Sequence, residues 1–207
     1  MLITLNLVPL ETSVLGVDPG SRKFGWAVVR QRGQVTERVD GGVVRMYGDL
    51  PARLGEILLK IQSLLAEQAV SALAIESAFV HDNARTALVL GQARGLPIAV
   101  AAARGLPVFE YAPATVKRAI AGSGRADKHQ MRHMIAATLG LDSLPAEDEA
   151  DALAIAVTHL RQQAFAALTT PSARSLSALA ASAPPPTAAR AAYLAAVARA
   201  RSGRSAR

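Results

Sequence analysis

Apolar runs and evenly spaced apolar positions alternate along the chain and predict a sheet with helices packed on it. Runs rich in Val, Ile, Leu and Phe predict strands at residues 14–17, 24–31, 35–46, 72–75 and 106–109. Short links join the first three, which indicates an antiparallel meander, and Gly41-Gly42 is predicted to form a bulge in the third. Helical segments separate the later strands, a pattern typical of α/β folds with a mixed sheet.

Helical spacing of apolar residues predicts five helices between and after the strands. They are expected at residues 50–68, 82–104, 113–121, 127–139 and 146–163. The helix at 82–104 has a face of small residues, formed by Ala84, Ala87, Leu88, Gly91 and Gly95. Such a face either admits a close-packed partner helix or makes an ordinary core contact.

The positive charge of the chain is concentrated in its last segment. The net charge is +7, but residues 164–207 hold six Arg and no acid, whereas residues 1–163 hold 17 Lys+Arg against 16 Asp+Glu. The last segment is dominated by Ala, Ser, Pro and Arg and lacks the large apolar residues that repay ordering. We therefore expect one domain at 13–163 and a disordered basic tail at 164–207.

The composition also limits the compartment. The chain has no Cys, so neither a disulfide framework nor a thiolate metal site is available. The amino-terminal residues lack the basic region and cleavage site of a signal peptide, and no apolar run reaches the roughly 18 residues of a membrane span. A cytoplasmic protein with no membrane contact is expected.

Four carboxylates are the candidate chemical groups. Asp18 closes the first strand and Glu76 closes the fourth, and ligands of open α/β sheets bind at the carboxyl ends of strands. Asp148 and Asp151, spaced i and i+3, project from one face of the last helix. Taken singly, Asp18 is an ordinary turn residue before a Pro-Gly pair, and acids in the first turn of a helix suit its dipole.

Taken together, converging carboxylates without thiols or imidazoles predict a site for the hard cations Mg²⁺ or Mn²⁺. Two such ions, roughly 4 Å apart, activate a water and stabilise the leaving oxygen of a phosphodiester. The convergence of the four acids depends on the predicted topology, because sequence spacing alone does not show it.

Basic and aromatic residues near the acids are candidates for binding phosphates and bases. Lys117 and Arg118 lie on the third predicted helix. Lys128 lies in a first turn, where a cation opposes the helix dipole, which suggests phosphate contact or stabilisation of transition-state charge. Phe79 follows the fourth strand and would stack on an unpaired base. The alternatives are that the lysines are ordinary solvated side chains, and that Phe79 is a hydrophobic staple packed on the following helix.

The histidines are interpreted differently from the acids. The chain has four, at His81, His129, His133 and His159. We assign none of them to a metal-ligand pair of recognised spacing and interpret them as surface residues or phosphate contacts.

Four long stretches, in order, carry a family signature. They are LGVDPGSRKFGWAVV (15–29), AIESAFVHDNARTALVLGQARG (74–95), PVFEYAPATVKRAIAGSGRADKHQMRHMI (107–135) and EADALAIAVTHL (149–160). Together they resemble the RuvC family of crossover (Holliday) junction endodeoxyribonucleases. The resemblance implies an RNase H-like fold and a homodimer that nicks two strands of like polarity in a four-way DNA junction.

The resemblance also implies roles for the acids. Asp18, Glu76, Asp148 and Asp151 would bind the catalytic metal ions, Mg²⁺ or Mn²⁺, and Lys128 matches an essential basic residue of the family. Symmetry favours a dimer independently, because one chain holds one set of acids and two symmetry-related cuts need two. The helix at 82–104 matches the element through which members dimerise, and the RuvA–RuvB branch-migration complex is the implied partner.

DNA-contacting residues are implied as well. Phe79 matches the aromatic residue that acts on bases near the crossover, and Lys117 and Lys128 match basic residues of the family. Arg118 is a further candidate for DNA binding, and Arg85 is a candidate for the preference for a cut sequence. Residues 1–12 extend beyond the usual family start.

Two other classes remain open on the sequence. Asp18 before a Pro-Gly turn, followed by Gly25, also resembles the first phosphate motif of actin-like sugar kinases. Those phosphotransferases need a second phosphate loop and a much longer chain. The third class is a non-catalytic junction-binding protein, against which the presence of all four acids argues.

Overall fold

The computed structural model describes residues 11–77 and 84–169, which form a five-stranded sheet with helices on both faces. The strands are β1 (Glu11–Pro19), β2 (Lys23–Arg32), β3 (Val35–Arg45), β4 (Ala72–Glu76) and β5 (Val108–Tyr111). Their order in the sheet is β3-β2-β1-β4-β5. The β1–β2 and β2–β3 pairs are antiparallel, and the β1–β4 and β4–β5 pairs are parallel. The predicted mixed five-stranded sheet is confirmed.

Five helices of the described residues pack on this sheet. They are α1 (Leu50–Glu67), α2 (Ala84–Ala103), α3 (Pro113–Ala121), α4 (Lys128–Leu139) and α5 (Glu147–Thr169). The start of α4 follows from the sequence, because the Asp127 carboxylate accepts a hydrogen bond from the Gln130 backbone N–H at 2.8 Å. Pro113 begins α3, where its missing N–H costs nothing.

Alternation along β1 divides the core between the two faces of the sheet. Leu15 and Val17 are fully buried against α1 and α2, whereas Val14 is fully buried in the cluster built by α3, α4 and α5. Since side chains alternate along a strand, Gly16 and Asp18 continue the face of Val14. Asp18 therefore points to the side of the sheet that α5 covers.

The predicted bulge at Gly41-Gly42 is wrong. The register of β2 against β3 shifts opposite Val39, which is the extra residue of the ladder, and both glycines pair regularly. A Cβ at Gly41 would lie 2.9 Å from a carboxylate oxygen of Glu149 in α5. Gly41 therefore lies where β3 meets the Glu149 side chain of α5, and not at the bend.

The fifth strand is displaced from its predicted position. It begins at Val108 and ends at Tyr111, instead of covering 106–109. The Leu106 backbone N–H donates to the Ala101 carbonyl at 3.0 Å and so closes the end of α2. An apolar residue that caps a helix was thereby mistaken for the start of a strand.

Two elements are longer than the sequence pattern predicts. β1 begins at Glu11, whose carboxylate binds Arg32 across the hairpin at 3.1 Å. A polar contact of this kind leaves no apolar run to recognise. α5 extends to Thr169, past the predicted end at 163. The division of the chain at 12 and 163 stays a prediction.

α2 is apolar and only partly buried. Among the described helices, α2 alone has the length and composition to cross a membrane. An 18-residue stretch of it has a mean hydropathy of 1.3, and 17% of that stretch is buried. An added Cβ at Gly91 or Gly95 would meet nothing within 4 Å. An exposed apolar surface on a folded domain commonly marks an interaction site.

Several predictions fall outside the described residues. They concern Phe79 and His81, the first residues of the helix expected at 82–104, residues 1–10, and residues 170–207 of the expected tail.

Candidate active site

Two acids lie next to each other at the carboxyl edge of the parallel strands. Val17 of β1 pairs with Ile75 of β4, and each of these residues is followed by an acid, Asp18 and Glu76 respectively. Asp18 and Glu76 therefore end neighbouring strands at the same edge, which is where open α/β sheets bind their ligands.

Helix α5 lies against this edge because two glycines let its backbone approach the sheet. Gly25 is the register partner of Asp18, and a Cβ on Gly25 would collide with the Asp148 carbonyl. A Cβ on Gly16 would collide with the Ala152 carbonyl. This close approach brings the two acids of α5 to the end of β1.

A cavity of about 280 Å³ opens at the same edge. Its polar lining consists of three acids and two lysines, Asp18, Glu76, Asp151, Lys117 and Lys128. Its apolar lining comes from helices α3, α4 and α5, with Pro113, Val116, Met131 and Ile155. Five residues predicted from widely separated parts of the sequence thus line one space.

Burial and mutual repulsion raise the pKa values of the three cavity acids. Burial raises the pKa of Asp18 from 3.8 to about 7, and the charges of Asp151 and Glu76 add to the effect. Burial is also the main reason that the pKa values of Glu76 and Asp151 are raised, with Asp151 adding to the rise at Glu76. Carboxyls shifted towards neutral pH in a cavity are typical of functional sites.

Lys128 connects the first turns of two helices. Its Nζ donates to Glu147 Oε1 at 2.5 Å, and this hydrogen bond is the main reason that the pKa of Lys128 is raised. Both side chains are exposed, so the pair is open to exchange with an incoming anion. The charges of Lys117 and Lys128 both lower the pKa values of Glu76 and Asp151, which only partly offsets burial.

Asp148 differs from the other three acids. It is not part of the cavity lining, and its carboxylate is 3.4 Å from Lys23 Nζ. Its charge still raises the pKa of Asp18 and of Asp151, so it lies within electrostatic range of both. Lys23, at the start of β2, was not recognised from the sequence because it precedes the apolar part of the strand.

Two predicted DNA contacts lie apart from the cavity. Arg118 is an exposed residue of α3, and Arg85 is an exposed residue of the first turn of α2. Neither is part of the cavity lining. Their roles, like that of Phe79, stay predictions.

Arg94 is a residue of this region that sequence reasoning missed. Its guanidinium donates to the Glu76 carbonyl and lies 2.6 Å from Glu110 Oε2 of β5. The Arg94 side chain is only 13% exposed, and its charge acts to lower the pKa of Glu76. The available signal was an arginine in the middle of a helix whose residues are mostly small or apolar.

Glu149 was also missed as a positioning residue. Its carboxylate accepts from Arg38 Nε at 2.8 Å, and Arg38 also donates to the Gly41 carbonyl at 2.8 Å. The pair joins the first turn of α5 to β3 and is partly buried. No local sequence signal links Arg38 and Glu149, because they are far apart in the chain.

A buried hydrogen bond joins β5 to α5 behind the cavity. Tyr111, the register partner of Glu76, lies with its hydroxyl 2.6 Å from His159 Nδ1. Burial lowers the pKa of His159, which favours the neutral imidazole in this contact. This contact fixes α5 relative to the strand that ends in Glu76.

The chemistry of the cavity suits a divalent hard cation. Carboxylate oxygens are the donors that Mg²⁺ and Mn²⁺ prefer, and a cation beside Asp18 would oppose the burial and the repulsion from neighbouring acids that raise its pKa. Within residues 11–77 and 84–169, no three acid or histidine side chains form a ready-made metal site. The donor type of the cavity lining therefore fits a hard cation.

The Asp18 carboxyl should make the metal-free protein less stable as the pH rises. Its pKa is about 7 in the folded state and near 3.8 without the fold. Between these values the folded state holds a proton that the unfolded state has released, so stability falls as the pH rises from about 4 to about 7. In chelator, Asp18→Asn should melt at a higher temperature than the parent at about pH 8. Identical melting curves for the two proteins at that pH would contradict this.

The fold and the acid-lined edge of the sheet define the chain as an RNase H-like protein. The family model described as "Crossover junction endodeoxyribonuclease RuvC" matches residues 14–159. The chain belongs to the RuvC family. Its class is therefore that of the crossover junction endodeoxyribonucleases, which confirms the predicted enzyme activity, and membership implies dependence on a divalent metal.

Curated relatives agree with this assignment. The crossover junction endodeoxyribonuclease RuvC of Halorhodospira halophila is 49% identical over 150 residues, which cover 72% of this chain and 89% of the relative. That of Magnetococcus marinus is 43% identical over 162 residues, covering 77% and 90%. That of Anaeromyxobacter dehalogenans is 50% identical over 159 residues, covering 74% and 83%.

Solved structures agree as well. T. thermophilus RuvC in complex with a Holliday junction substrate superposes with a TM-score of 0.70 at 33% identity, covering 74% of this chain and 96% of that one. The yeast mitochondrial Holliday junction resolvase Ydc2 superposes with a TM-score of 0.58 at 15% identity, covering 76% and 81%. At that identity the yeast protein shows the fold alone.

Proposed function

We propose that this protein resolves four-way DNA junctions in recombination and repair by nicking two strands of like polarity symmetrically. The observation that carries the proposal is the lining of one cavity by Asp18, Glu76 and Asp151 together with Lys117 and Lys128. Three acids whose pKa values are raised would bind cations, and two lysines beside them would bind phosphate. Family membership favours this reading over a sugar kinase-like phosphotransferase.

We assign the metal to the carboxylates. Asp18, Glu76 and Asp151 would hold Mg²⁺ or Mn²⁺, with Asp148 joining them once it leaves Lys23, and two ions per site is the proposed number. The ions would supply an activated water and stabilise the leaving oxygen. The chain's own acids orient the ions at the sheet edge, where Gly16 and Gly25 keep α5 close.

The lysines have a separate proposed role. Lys128 would exchange Glu147 for a phosphate oxygen of the DNA, because that ion pair is exposed and lies at the cavity. Lys117 lines the same cavity and would bind the neighbouring phosphate or stabilise transition-state charge. Phe79 would contact bases at the crossover, and Arg118 and Arg85 are proposed as further DNA contacts.

A synthetic four-way junction tests the proposal. Each strand is labelled in turn, and the products with Mg²⁺, with Mn²⁺ and with chelator are compared across several sequences at the crossover. We expect paired nicks in two strands of like polarity with either metal and none in chelator, and a linear duplex of the same sequence should stay intact. Junction binding without nicking in both metals would show a non-catalytic junction-binding protein instead.

We propose that two copies pair through α2. The support is the exposed apolar surface of that helix, where Leu88 is 64% exposed and the faces of Gly91 and Gly95 are open to a close neighbour. The acid cavity of the described residues holds one set of acids, and two symmetric cuts need two such sets related by a two-fold axis. The cytoplasmic location and the partnership with the RuvA–RuvB complex are likewise proposals that rest on the family.

Leu88→Asp should convert a dimer to a monomer, because a carboxylate at the centre of an apolar interface has to be buried without a partner. Light scattering coupled to gel filtration measures the mass. The matched control is Leu59→Asp, since Leu59 is also an exposed leucine, 67% exposed, but lies in α1. The control should stay dimeric. Equal masses for both variants would exclude α2 as the interface.

A further inference from the structure

Two histidines stand together on the outer side of α4. His129 and His133 are one turn apart, and their Nε2 atoms lie 3.2 Å from each other. Their ring centroids are 4.4 Å apart with the planes inclined at 53°. Both side chains are exposed, whereas Met131 and Ile135 of the same helix are buried. The prediction that these two are surface residues is confirmed, but the i, i+4 spacing that brings their rings together was overlooked. For His159, which is buried, the prediction of a surface residue is wrong.

The separation of the two nitrogens fits a shared metal ion. With Zn–N bonds of about 2.0–2.1 Å and tetrahedral angles, two ligand nitrogens on one zinc lie about 3.3 Å apart. The Nε2 atoms of His129 and His133 have nearly this separation already. Histidines at i and i+4 on one helix face are also the spacing by which helices supply two zinc ligands.

The neighbouring cations are engaged elsewhere. Lys128 is bound to Glu147, and the Arg132 guanidinium donates to the Pro145 carbonyl at 2.9 Å and 3.1 Å. Both cationic groups therefore bind oxygen atoms and not the histidine nitrogens. The imidazole pair therefore keeps an open side towards solvent.

We propose that His129 and His133 form a second metal site, which takes a borderline transition-metal ion such as Zn²⁺ or Ni²⁺ through their two Nε2 atoms. Imidazole nitrogen selects these ions, whereas Mg²⁺ requires oxygen ligands. Water completes the coordination. The two sites of the chain would sort cations by donor type, with hard ions at the carboxylates and borderline ions at the histidines.

Metal binding at this pair would act on α4 as a crosslink. The ion joins its first two turns, and the first residue of α4 is Lys128, which lines the acid cavity. Fraying of that turn would be suppressed in the metal-bound protein. The proposal does not depend on the acids, since neither histidine is part of the cavity lining.

Calorimetry and thermal melting of untagged protein test the site. Saturating Mg²⁺ is present throughout so that the carboxylates are occupied, and Zn²⁺ or Ni²⁺ is added near neutral pH. We expect one binding event per chain, and a rise in melting temperature of about 5–10 °C at a metal concentration about 100 times Kd. His129→Ala and His133→Ala should each abolish both effects.

Two controls separate the site from other causes. His81→Ala removes another histidine and should leave the binding of Zn²⁺ unchanged. The melting temperatures of His129→Ala and His133→Ala without transition metal should equal that of the parent, which shows that the fold is intact. Nitrogen hyperfine splitting from two imidazoles in the Cu²⁺ spectrum should be present in the parent and lost in both variants. Equal binding of Zn²⁺ by parent and His129→Ala, or loss of binding in His81→Ala, would overturn the proposal.

Discussion

Asp18→Asn is expected to abolish nicking of a four-way junction while leaving junction binding in place. Asp18 lies at the centre of the charge cluster, since the charges of Asp151, Glu76 and Asp148 all act on its pKa. Losing its negative charge removes a cation ligand, and metal stabilisation of a transition state is worth several kcal/mol. The nicking rate should fall by about 10³-fold or more, because each 1.36 kcal/mol is a factor of ten.

Single-turnover cleavage and gel-shift binding, measured side by side, check this prediction. The matched control is Asp142→Asn, an exposed aspartate in the loop after α4, which should leave both unchanged. Asp18→Asn should also be at least as stable as the parent in chelator, which separates lost chemistry from lost folding. A parallel loss of binding and nicking would contradict a role confined to the metal site.

Gly25→Ala is expected to damage both stability and cleavage. The added methyl group would collide with the backbone of Asp148, and backbone cannot turn aside as a side chain can. Overpacking a core costs about 1–3 kcal/mol, and the upper end is expected when the obstacle is backbone. For a domain of this size the melting temperature should fall by about 5–10 °C.

The effect on cleavage is predicted to exceed the effect on folding. Displacing α5 moves Asp148 and Asp151 away from Asp18, and misplacing a reacting group by roughly 1 Å costs about 10²-fold in rate. Cleavage is measured well below the melting temperature so that the variant is folded. Full activity with normal stability would show that α5 does not depend on this contact.

Gly55→Ala is the control for this substitution. Gly55 lies inside α1, and an added Cβ there would meet nothing within 4 Å. Replacing a helical glycine in open space should stabilise the protein by roughly 0.5–1 kcal/mol and leave cleavage unchanged. The opposite signs of the two Gly→Ala effects would identify close packing as the cause.

Much of the fold follows from local patterns. The apolar runs located β1, β2 and β4 because a strand buried on both faces is apolar along its length. They also indicated β3 and β5, although these two strands are more exposed. The features predicted at the wrong position are the start of β5 and the bulge in β3, where the backbone pairing differs from what the residue types suggest. Leu106 caps α2 instead of pairing in β5, and Val39 forms the bulge that was expected at the glycines.

The candidate site divides in the same way. Asp18 and Glu76 were found because each closes an apolar run, and the convergence of Asp151, Lys117 and Lys128 on their cavity depends on how the helices pack. Sequence spacing did not show that Asp148 pairs with Lys23 outside the cavity lining. Sequence spacing also did not show that Arg94 binds the Glu76 carbonyl, since a partner distant in the chain leaves no periodic signal.

The sequence by itself determined the mixed sheet, the acids at its carboxyl edge and membership of the RuvC family, because alternation, turn chemistry and long motifs are local properties of the chain. Only the tertiary structure decided which acids share a cavity and how burial raises the pKa of Asp18. It also decided why Gly16 and Gly25 are required. These features depend on distances between segments that are far apart in sequence, and such distances are set by packing.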